Sequence, residues 1–298
     1  MRVVTSFDDA RSGRRGTGGL VPTMGGLHDG HLALVRRAAD ECDTVLVSLF
    51  VNPLQFEDPE DLGRYPADRE RDADLAEQAG ADVLFAPTMS TMYPQEQLAR
   101  VVVRGMGDVL EGKFRPGHFE GVTTVVSKLF AGLRPDRAYF GRKDAQQLAI
   151  VTRMTRDLSF PVTIVGCPTV RDHDGLALSS RNTYLSPDER FAALSLSRGL
   201  MEAATAIDEG ERSAASLERI TLRSMEVEPL VEPEYAALAD GSDVELLTEL
   251  DRPAFLAVAA RVGTVRLIDN IFIDALLTGD GPGLPTVDRG VRLGEGDV

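Results

Sequence analysis

The sequence has 298 residues, 43% of them hydrophobic and 27% charged, so it is long enough to bury one large core or two medium ones. Its 47 acidic and 32 basic residues give a formal net charge of -15, which repels nucleic-acid backbones, and no concentrated run of basic residues stands out. The composition therefore favours a globular protein of two domains and excludes a nucleic-acid partner.

Three sequence features bear on where the protein works. The segment MRVVTSFDDARSGRRG at the amino terminus carries acidic residues and no apolar core of signal-peptide length. No apolar run is long enough to span a bilayer. The two cysteines, Cys42 and Cys167, lie far apart and follow no metal-ligand spacing, which is typical of buried free thiols in a reducing compartment. We therefore expect a cytoplasmic protein without a membrane partner.

Short apolar runs alternate with longer amphipathic ones through the first half of the chain. Apolar runs separated by helices indicate parallel strands that are covered on both faces. In segment 31–42, Leu32, Val35 and Ala39 share one helical face, and most charged residues lie on another. The predicted fold class is α/β, a Rossmann-like doubly wound parallel sheet, with strands in the segments 19–24, 44–52, 81–87, 136–141 and 161–170.

A glycine-rich turn, PTMGGLHDGH, follows the first of these predicted strands and precedes the first helix. Such a turn places backbone N–H groups at the carboxyl edge of the sheet, where anions bind. The pattern fits neither the Walker A motif nor the dinucleotide G-x-G-x-x-G motif. On the glycines alone, an ordinary turn explains it equally well. His28 and His31, with Gly30 between them, instead favour a phosphate cradle.

Neutral amides follow the next predicted strand, in VNPLQF. Asn52 and Gln55 are donors and acceptors that orient a small hydroxy acid without adding charge, although loop polarity explains them equally well. His118 follows Arg115 by three residues, and a structural hydrogen bond and a ligand contact are equally good interpretations of it.

Two later segments carry charge suited to phosphate. In FGRKDAQQL, Lys143 and Asp144 follow a predicted strand, so the lysine supplies a point charge at the sheet edge; the alternative is a solvated surface pair. In LSSRN, Ser179, Ser180 and Arg181 are suited to gripping triphosphate oxygens from a mobile loop. The alternative is a serine loop that caps the next helix.

The chain changes character after about residue 170. The segment from Pro187 to about Glu228 predicts two helices, and the segment from about residue 253 predicts strands around a short turn. We therefore predict a Rossmann-like domain over residues 1–169 and a smaller α+β domain over residues 170–298. The smaller domain is expected to act as a lid that carries the Ser-Ser-Arg loop.

The motifs together resemble one family. PTMGGLHDGH is similar to the His-x-Gly-His signature of class I nucleotidylyltransferases and aminoacyl-tRNA synthetases. VSLFVNPLQF, DLGRYPADRERD, LEGKFRPGHFEGVTTVVSKL, RPDRAYFGRKDAQQL and LALSSRNTYL follow in the order and spacing of the pantothenate synthetase, or pantoate:beta-alanine ligase, family. The resemblance runs from about residue 18 to about residue 271.

The resemblance implies a two-step ligase. Pantoate attacks the α-phosphorus of ATP to give pantoyl adenylate and pyrophosphate, and beta-alanine then attacks the adenylate to give pantothenate and AMP. No covalent enzyme intermediate is expected, and the sequence has neither a G-x-S-x-G elbow nor a catalytic cysteine signature. The resemblance also implies Mg²⁺, whose charge offsets the triphosphate, and a homodimer joined through the amino-terminal domains.

Site residues are carried over from the family motif by position. The matches to phosphate-contacting, catalytic positions are His28, His31, Lys143, Ser179, Ser180 and Arg181. Other ATP-binding positions are Pro22, Met24, Gly30, Gly141, Asp144, Val170 and Leu178. Pantoate-binding positions are Met24, Asn52, Gln55 and Gln147, and Asp72 matches an acidic position associated with magnesium.

Three residues depart from the family pattern. Gly26 replaces the usual alanine, Leu178 a methionine, and Arg142 an acidic residue or glutamine. Gly26 loosens the turn and Leu178 keeps a similar apolar volume. Neighbouring residues at a strand end point to opposite sides, so Arg142 is expected to face solvent or a neighbouring loop if Lys143 faces the phosphates.

Three other functions differ from this one in the motifs that they predict. A nucleotidylyltransferase with another acceptor keeps His-x-Gly-His but has little reason to carry VNPLQF and LSSRN together. A non-catalytic nucleotide-binding protein predicts the loss of a phosphate ligand, and none is lost. A dehydrogenase is excluded by the glycine pattern.

Overall fold

The computed structural model describes residues 1–56, 62–63, 65, 68–278 and 281–294. The chain forms two compact units. The amino-terminal unit comprises Met1–Gly141 and Ile150–Cys167, and the carboxyl-terminal unit comprises Arg142–Ala149 and Pro168–Val298. The predicted boundary between residues 169 and 170 lies close to the one at Cys167. The sequence pattern did not indicate that Arg142–Ala149 belongs to the second unit.

A six-stranded sheet forms the centre of the amino-terminal unit. Its order is β1-β4-β3-β2-β5-β6, and all its strand pairs are parallel. This confirms the predicted α/β class. The edge strand β1 was not predicted, because three residues are too few to show a period. The strands are β1 (Arg2–Val4), β2 (Gly18–Thr23), β3 (Thr44–Leu49), β4 (Val83–Phe85), β5 (Arg137–Gly141) and β6 (Thr163–Cys167).

The strands β2 and β5 lie where the strand order reverses. β3 and β4 continue the sheet on one side of β2, and β5 and β6 on the other. The register of β2 with β5 consists of Gly19 opposite Arg137 and Leu20 opposite Ala138, both near the beginnings of the two strands. Ligands of open α/β sheets bind beyond the carboxyl ends of the strands at such a reversal.

Helices cover this sheet. Leu32 and Val35 of α2 pack with strand residues of the sheet in one buried cluster, as predicted. Ala39, expected on the same face, is exposed, and Ala38 is buried instead. The helices described in this part of the chain are α1 (Phe7–Arg11), α2 (Asp29–Glu41), α3 (Arg69–Gln78), α4 (Met89–Met92), α5 (Glu111–Phe114), α6 (His118–Leu133) and α7 (Ala145–Asp157). The first residues of α7 belong to the carboxyl-terminal unit.

The carboxyl-terminal unit is α+β. Two helices, α8 (Pro187–Asp208) and α9 (Ala214–Glu226), share a buried core with an antiparallel sheet of order β11-β10-β9-β8. β7 and β12 form a separate parallel pair. The two helices and the pair β9–β10 were predicted, whereas β8 and β11 were not. The strands are β7 (Val170–Arg171), β8 (Val231–Asp240), β9 (Ala254–Val262), β10 (Val265–Thr278), β11 (Gly281–Asp288) and β12 (Val291–Arg292).

Long helices are present, but none in the described part of the chain is apolar enough over its length to cross a membrane.

Candidate active site

The glycine-rich turn joins β2 to α2. Gly25 and Gly26 have φ angles of 102° and 64°, a region in which a side chain is strained, and this explains both glycines. Leu27 is buried and pins the turn to the core. His28, with extended backbone, is the N-cap of α2. The N–H groups of the first turn of α2 therefore lie directly beyond the carboxyl end of β2, which is an anion-binding arrangement.

The two histidines of the turn lie in contact, with their ring planes tilted by 43°. His28 occupies the N-cap of α2 and His31 the third helical position, and their ring centroids are 4.1 Å apart. The backbone N–H of His28 donates to Nδ1 of His31 at 3.4 Å. An Nδ1 that accepts leaves the proton of the neutral His31 ring on Nε2. The pair thus has a defined orientation at the helix end, and His31 presents an N–H donor through Nε2.

Asp72 binds the backbone of this turn through its carboxylate. Its side chain is fully buried on α3, and its two carboxylate oxygens accept separate hydrogen bonds from the backbone N–H groups of Gly26 and Leu27, each at 2.8 Å. Charge-assisted bonds of this kind are stronger than neutral ones. Asp72, expected at a magnesium-associated position, therefore uses both of its oxygens to shape the turn.

The expected pantoate residues of the amino-terminal unit lie together. Asn52 is the N-cap of the 3-10 turn Pro53–Gln55, and Gln55 is the last residue of that turn. Both residues are buried. The Asn52 amide donates to Oε1 of Gln55 at 3.1 Å, and the Gln55 amide donates to Sδ of Met24 at 2.8 Å. These three side chains form one connected polar cluster.

Two residues outside the sequence predictions support this cluster. The Tyr93 hydroxyl donates to Oδ1 of Asn52 at 2.8 Å, and burial raises the pKa of Tyr93 to about 12. Gly121 on α6 accepts from the Asn52 amide at 3.1 Å, and a Cβ at Gly121 would overlap the Leu54 carbonyl. The sequence contains no signal for either contact, because both join segments far apart in the chain.

His118 has a structural role in the same cluster. Its ring is buried, and Nδ1 lies 2.9 Å from the carbonyl oxygen of Gln55. A carbonyl only accepts, so Nδ1 is the protonated nitrogen and Nε2 accepts from Arg115 at 3.1 Å. Of the two interpretations left open by the sequence, the structure therefore shows the structural hydrogen bond.

In the carboxyl-terminal unit, the 3-10 turn Arg142–Asp144 carries the expected cation. Lys143 lies 3.9 Å from the Asp144 carboxylate, and only 18% of its side chain is exposed. The alternative of a solvated surface pair fits Asp144, whose side chain is 47% exposed, and does not fit Lys143.

Arg142 points toward β10 and β11. Its guanidinium donates to Asp288 at 3.0 Å, lies 3.5 Å from Asp274, and stacks over the Phe272 ring at 4.9 Å. The expectation that Arg142 faces solvent or a loop was too simple, because strands that follow much later in the sequence supply two carboxylates and an aromatic face. These contacts account for a cation that departs from the family pattern.

The Ser-Ser-Arg segment, Ser179 to Arg181, lies at the start of a 3-10 turn. Ser179 is the N-cap of the 3-10 helix Ser180–Tyr184, and its hydroxyl accepts from the Arg181 backbone N–H at 3.3 Å. The next long helix, α8, is capped instead by Ser186 in a capping box with Glu189. Ser179 therefore caps the 3-10 helix that directly follows it, as the alternative predicts, whereas the cap of α8 is Ser186. The side chains of Ser179, Ser180 and Arg181 are all partly exposed.

The remaining expected residues lie at strand ends and helix starts. The Leu178 backbone N–H donates to the Val170 carbonyl at 2.9 Å, which joins two of the expected ATP positions. Pro22 lies near the end of β2, Gly30 in the first turn of α2, Gly141 at the end of β5, and Gln147 in α7. No group of three or more His, Cys, Asp or Glu side chains suited to a metal ion occurs among the residues that the structure describes.

Comparisons with known proteins identify the relatives of this chain. The family described as pantoate-beta-alanine ligase matches residues 2–272. A pantothenate synthetase of Heliobacterium modesticaldum is 53% identical over 90% of this chain and 95% of its own length. A pantothenate synthetase of Geobacillus kaustophilus is 51% identical over 88% of this chain and 87% of its own.

Solved structures give the same result. Pantothenate synthetase of Thermus thermophilus superposes with a TM-score of 0.86 at 47% identity, covering 91% of this chain and 98% of its own. Pantoate-beta-alanine ligase of Francisella tularensis, in complex with beta-gamma ATP and beta-alanine, superposes with a TM-score of 0.70 at 32% identity, covering 91% of this chain and 97% of its own.

Proposed function

Because the chain belongs to the pantoate-beta-alanine ligase family, we propose that it is an enzyme that joins pantoate to beta-alanine in two steps at the expense of ATP. The pantoate carboxylate attacks the α-phosphorus, the bond to the departing pyrophosphate breaks, and pantoyl adenylate forms. The beta-alanine amine then attacks the acyl carbon and AMP leaves, so the product is pantothenate, a precursor of coenzyme A. The family match over residues 2–272 carries this proposal.

We assign the triphosphate to the charged and N–H-rich segments. His28, His31 and the amino end of α2 form the cradle described above, and Lys143, Ser179, Ser180 and Arg181 each act on phosphate oxygens. Such donors accelerate the reaction when they bind the departing pyrophosphate more strongly than bound ATP. The contact between the two histidine rings at the N-terminus of α2 supports this assignment.

Pantoate and adenosine take the remaining residues. Buried Asn52 and Gln55 and partly buried Met24 form the polar cluster that would orient pantoate, with Gln147 as the fourth contact. Pro22, Met24, Gly30, Gly141, Asp144, Val170 and Leu178 are proposed to surround the nucleotide. No side chain forms a covalent intermediate in this scheme, so catalysis rests on holding two anions together and stabilising the leaving group.

Magnesium is proposed as a companion of the triphosphate. When bound, it offsets the negative charge that would otherwise repel the pantoate carboxylate. Mg²⁺ is usually held by substrate phosphates, waters and one or two carboxylates. Asp72 does not fit a direct ligand, because it is fully buried and each of its oxygens accepts a backbone N–H. We propose that it serves ATP binding through the shape of the turn.

Two further proposals concern the cellular location and the oligomeric state of the protein. Cytoplasmic location is proposed from the spacing of Cys42 and Cys167, which lie far apart in the sequence; Cys167 is buried and Cys42 partly buried. A homodimer is supported by the family resemblance, and sedimentation of the purified protein tests it.

One assay tests the proposed activity. AMP formation from ATP is measured with pantoate alone, with beta-alanine alone and with both. We expect sustained AMP formation only with both substrates. Sustained formation with a different carboxylic acid or amine in place of either substrate would instead identify a related enzyme with another acceptor.

A further inference from the structure

We propose that Asn270 is a positioning residue that fixes the direction of Lys143, and this inference rests on the proposed role of Lys143 in ATP chemistry. The Asn270 amide donates to the Arg142 carbonyl at 3.0 Å and to the Lys143 carbonyl at 2.6 Å. One side chain therefore holds two consecutive carbonyl groups on a turn that lies more than a hundred residues earlier in the sequence.

The turn rests on one face of β10. Residues 270, 272 and 274 alternate with the residues of the other face, so their side chains share a side of the sheet. All three contact the turn: Asn270 through its amide, Phe272 under the Arg142 guanidinium, and Asp274 as an ion-pair partner of Arg142. Of these, Asn270 alone bonds the backbone of Lys143.

Asn270 is itself held firmly. Its side chain is 3% exposed, and its backbone N–H donates to Oδ1 of Asp269 at 2.7 Å. Asp269 forms a two-bond ion pair with Arg171, at 2.7 and 3.0 Å, and both side chains are buried. Arg171 also donates to the Asn270 carbonyl at 3.2 Å. Bidentate pairs of this type fix geometry as well as adding energy.

This arrangement matters because lysine is flexible. Its ammonium lies at the end of four carbons, so the position it reaches depends on the direction in which the backbone sends the side chain. The two carbonyls belong to the peptide groups on either side of the Lys143 Cα. Hydrogen bonds to both therefore restrict the rotation of these peptide groups, and with it the direction of the Lys143 side chain. A catalytic cation must lie within a fraction of an ångström of its productive position, and a displacement of about 1 Å can cost about a hundredfold in rate.

The test uses Asn270→Leu, which keeps a similar volume but cannot donate, and Asn270→Ser, which is smaller. Pantoyl adenylate formation is measured in a single turnover with ATP and pantoate. The second half-reaction is measured with chemically made adenylate and beta-alanine. We expect the first half-reaction to fall at least about tenfold and the second to stay within about twofold. Asp274→Asn, on the same face of β10, is the matched control and should change neither half-reaction by more than about twofold.

A double-mutant cycle with Lys143→Ala separates positioning from general stability. If Asn270 acts through Lys143, its substitution should change adenylate formation by less than about twofold in the Lys143→Ala background. A full additional loss there would overturn the inference, as would equal losses in both half-reactions. If Lys143→Ala alone leaves adenylate formation intact, it is the proposed role of Lys143 that fails. If Asn270→Leu does not fold, the cycle is carried out with Asn270→Ser, whose melting temperature is measured in parallel.

Discussion

At the residue scale, the proposal depends most on the phosphate cradle. The rings of His28 and His31 are in contact at the start of α2, and the Nδ1 hydrogen bond of His31 sets its donor on Nε2. Lys143 contributes a cation with only 18% of its side chain exposed. In the proposed scheme these groups would strengthen their interactions as charge passes to pyrophosphate, which would assign them to the first half-reaction.

We therefore predict that His31→Ala and Lys143→Ala each lower adenylate formation by at least about a hundredfold, near 2.7 kcal/mol, comparable to deleting one preorganised donor. Pantothenate formation from supplied adenylate and beta-alanine should stay close to that of the parent enzyme. The exposed His173 and Lys113 provide matched alanine controls that should retain full activity.

Equal losses in both half-reactions, in a variant whose melting temperature is unchanged, would show that the residue also orients the acyl group or the amine. The cradle assignment would then be wrong for that residue.

Arg142 gives a prediction of the opposite kind. Its guanidinium is bound to Asp288 and Phe272, so it does not need to contact ATP. Arg142→Gln should lower kcat/KM by less than about tenfold, roughly 1.4 kcal/mol at most. Steady-state kinetics with varied ATP check this, and a thousandfold loss would identify Arg142 as a phosphate ligand.

At the element scale, the β2–α2 turn depends on a helix from another part of the chain. Asp72 on α3 bonds the N–H groups of Gly26 and Leu27, so the conformation of the turn is coupled to the position of that helix. Gly25 and Gly26 adopt their positive φ angles without strain, so the hydrogen bonds to Asp72 select this turn among the many conformations open to glycine.

Asp72→Asn should weaken this coupling, because an amide side chain has one accepting oxygen and its NH₂ group faces the other N–H. We expect the free energy of unfolding to fall by about 2 kcal/mol and adenylate formation to fall at least about tenfold. Urea unfolding and single-turnover assays measure the two effects. Asp74→Asn, exposed on the same helix, is the control.

The magnesium titration of Asp72→Asn distinguishes the two roles of this residue. If Asp72 shapes the turn, the magnesium concentration that gives half-maximal activity should match that of the parent enzyme. A large increase in that concentration, with activity restored by excess magnesium, would identify Asp72 as a metal ligand after all.

The polar cluster around Asn52 leads to a pH prediction. Burial raises the pKa of Tyr93, which belongs to this cluster, to about 12. The pKa of Tyr139, on β5 and outside the cluster, is also raised, by burial and by the neighbouring Cys42 and Glu41. Unfolded tyrosine ionises near pH 10, so the unfolded state loses these protons first. The stabilisation is complete below about pH 10 and is lost as the pH rises toward 12. Urea unfolding of Tyr93→Phe should therefore depend less steeply on pH in this range than that of the parent.

The control for this experiment is Tyr184→Phe, since the Tyr184 side chain is 48% exposed. Its unfolding should show the same pH dependence as the parent. An unchanged slope in Tyr93→Phe would contradict the prediction.

At the scale of the whole molecule, the reversal of strand order between β2 and β5 defines where a nucleotide is expected to bind. Both strands end in segments with expected ATP residues: β2 runs into the glycine turn, and β5 ends at Gly141. The scheme also requires that the adenylate, once formed, be protected from water until the amine arrives.

With ATP, magnesium and pantoate but no beta-alanine, we therefore predict the release of at most about one pyrophosphate per site, followed by arrest. A rapid-quench experiment with labelled ATP measures this burst, and beta-alanine should convert it to steady turnover. Continuous pyrophosphate release without an amine would contradict a sequestered intermediate.

The sequence by itself determined the parallel α/β sheet, the glycine-rich turn and the family. Buried parallel strands form continuous apolar runs, positive φ angles require glycine, and phosphate binding requires particular residue types at fixed spacing, so each leaves a local pattern. It also predicted the helices α8 and α9, whose apolar residues recur with a helical period. It missed β1, β8 and β11, which lack such a period or are too short to show it.

Only the tertiary structure decided which residues support the site. Asp72 under the glycine turn, Tyr93 and His118 around Asn52 and Gln55, and Asn270 on the Lys143 backbone each join segments that are far apart in the chain. The same is true of the Asp288 partner of Arg142. A supporting hydrogen bond needs only one donor and one acceptor at the right distance. Many residue types satisfy that requirement, and the path of the whole chain determines which of them meet.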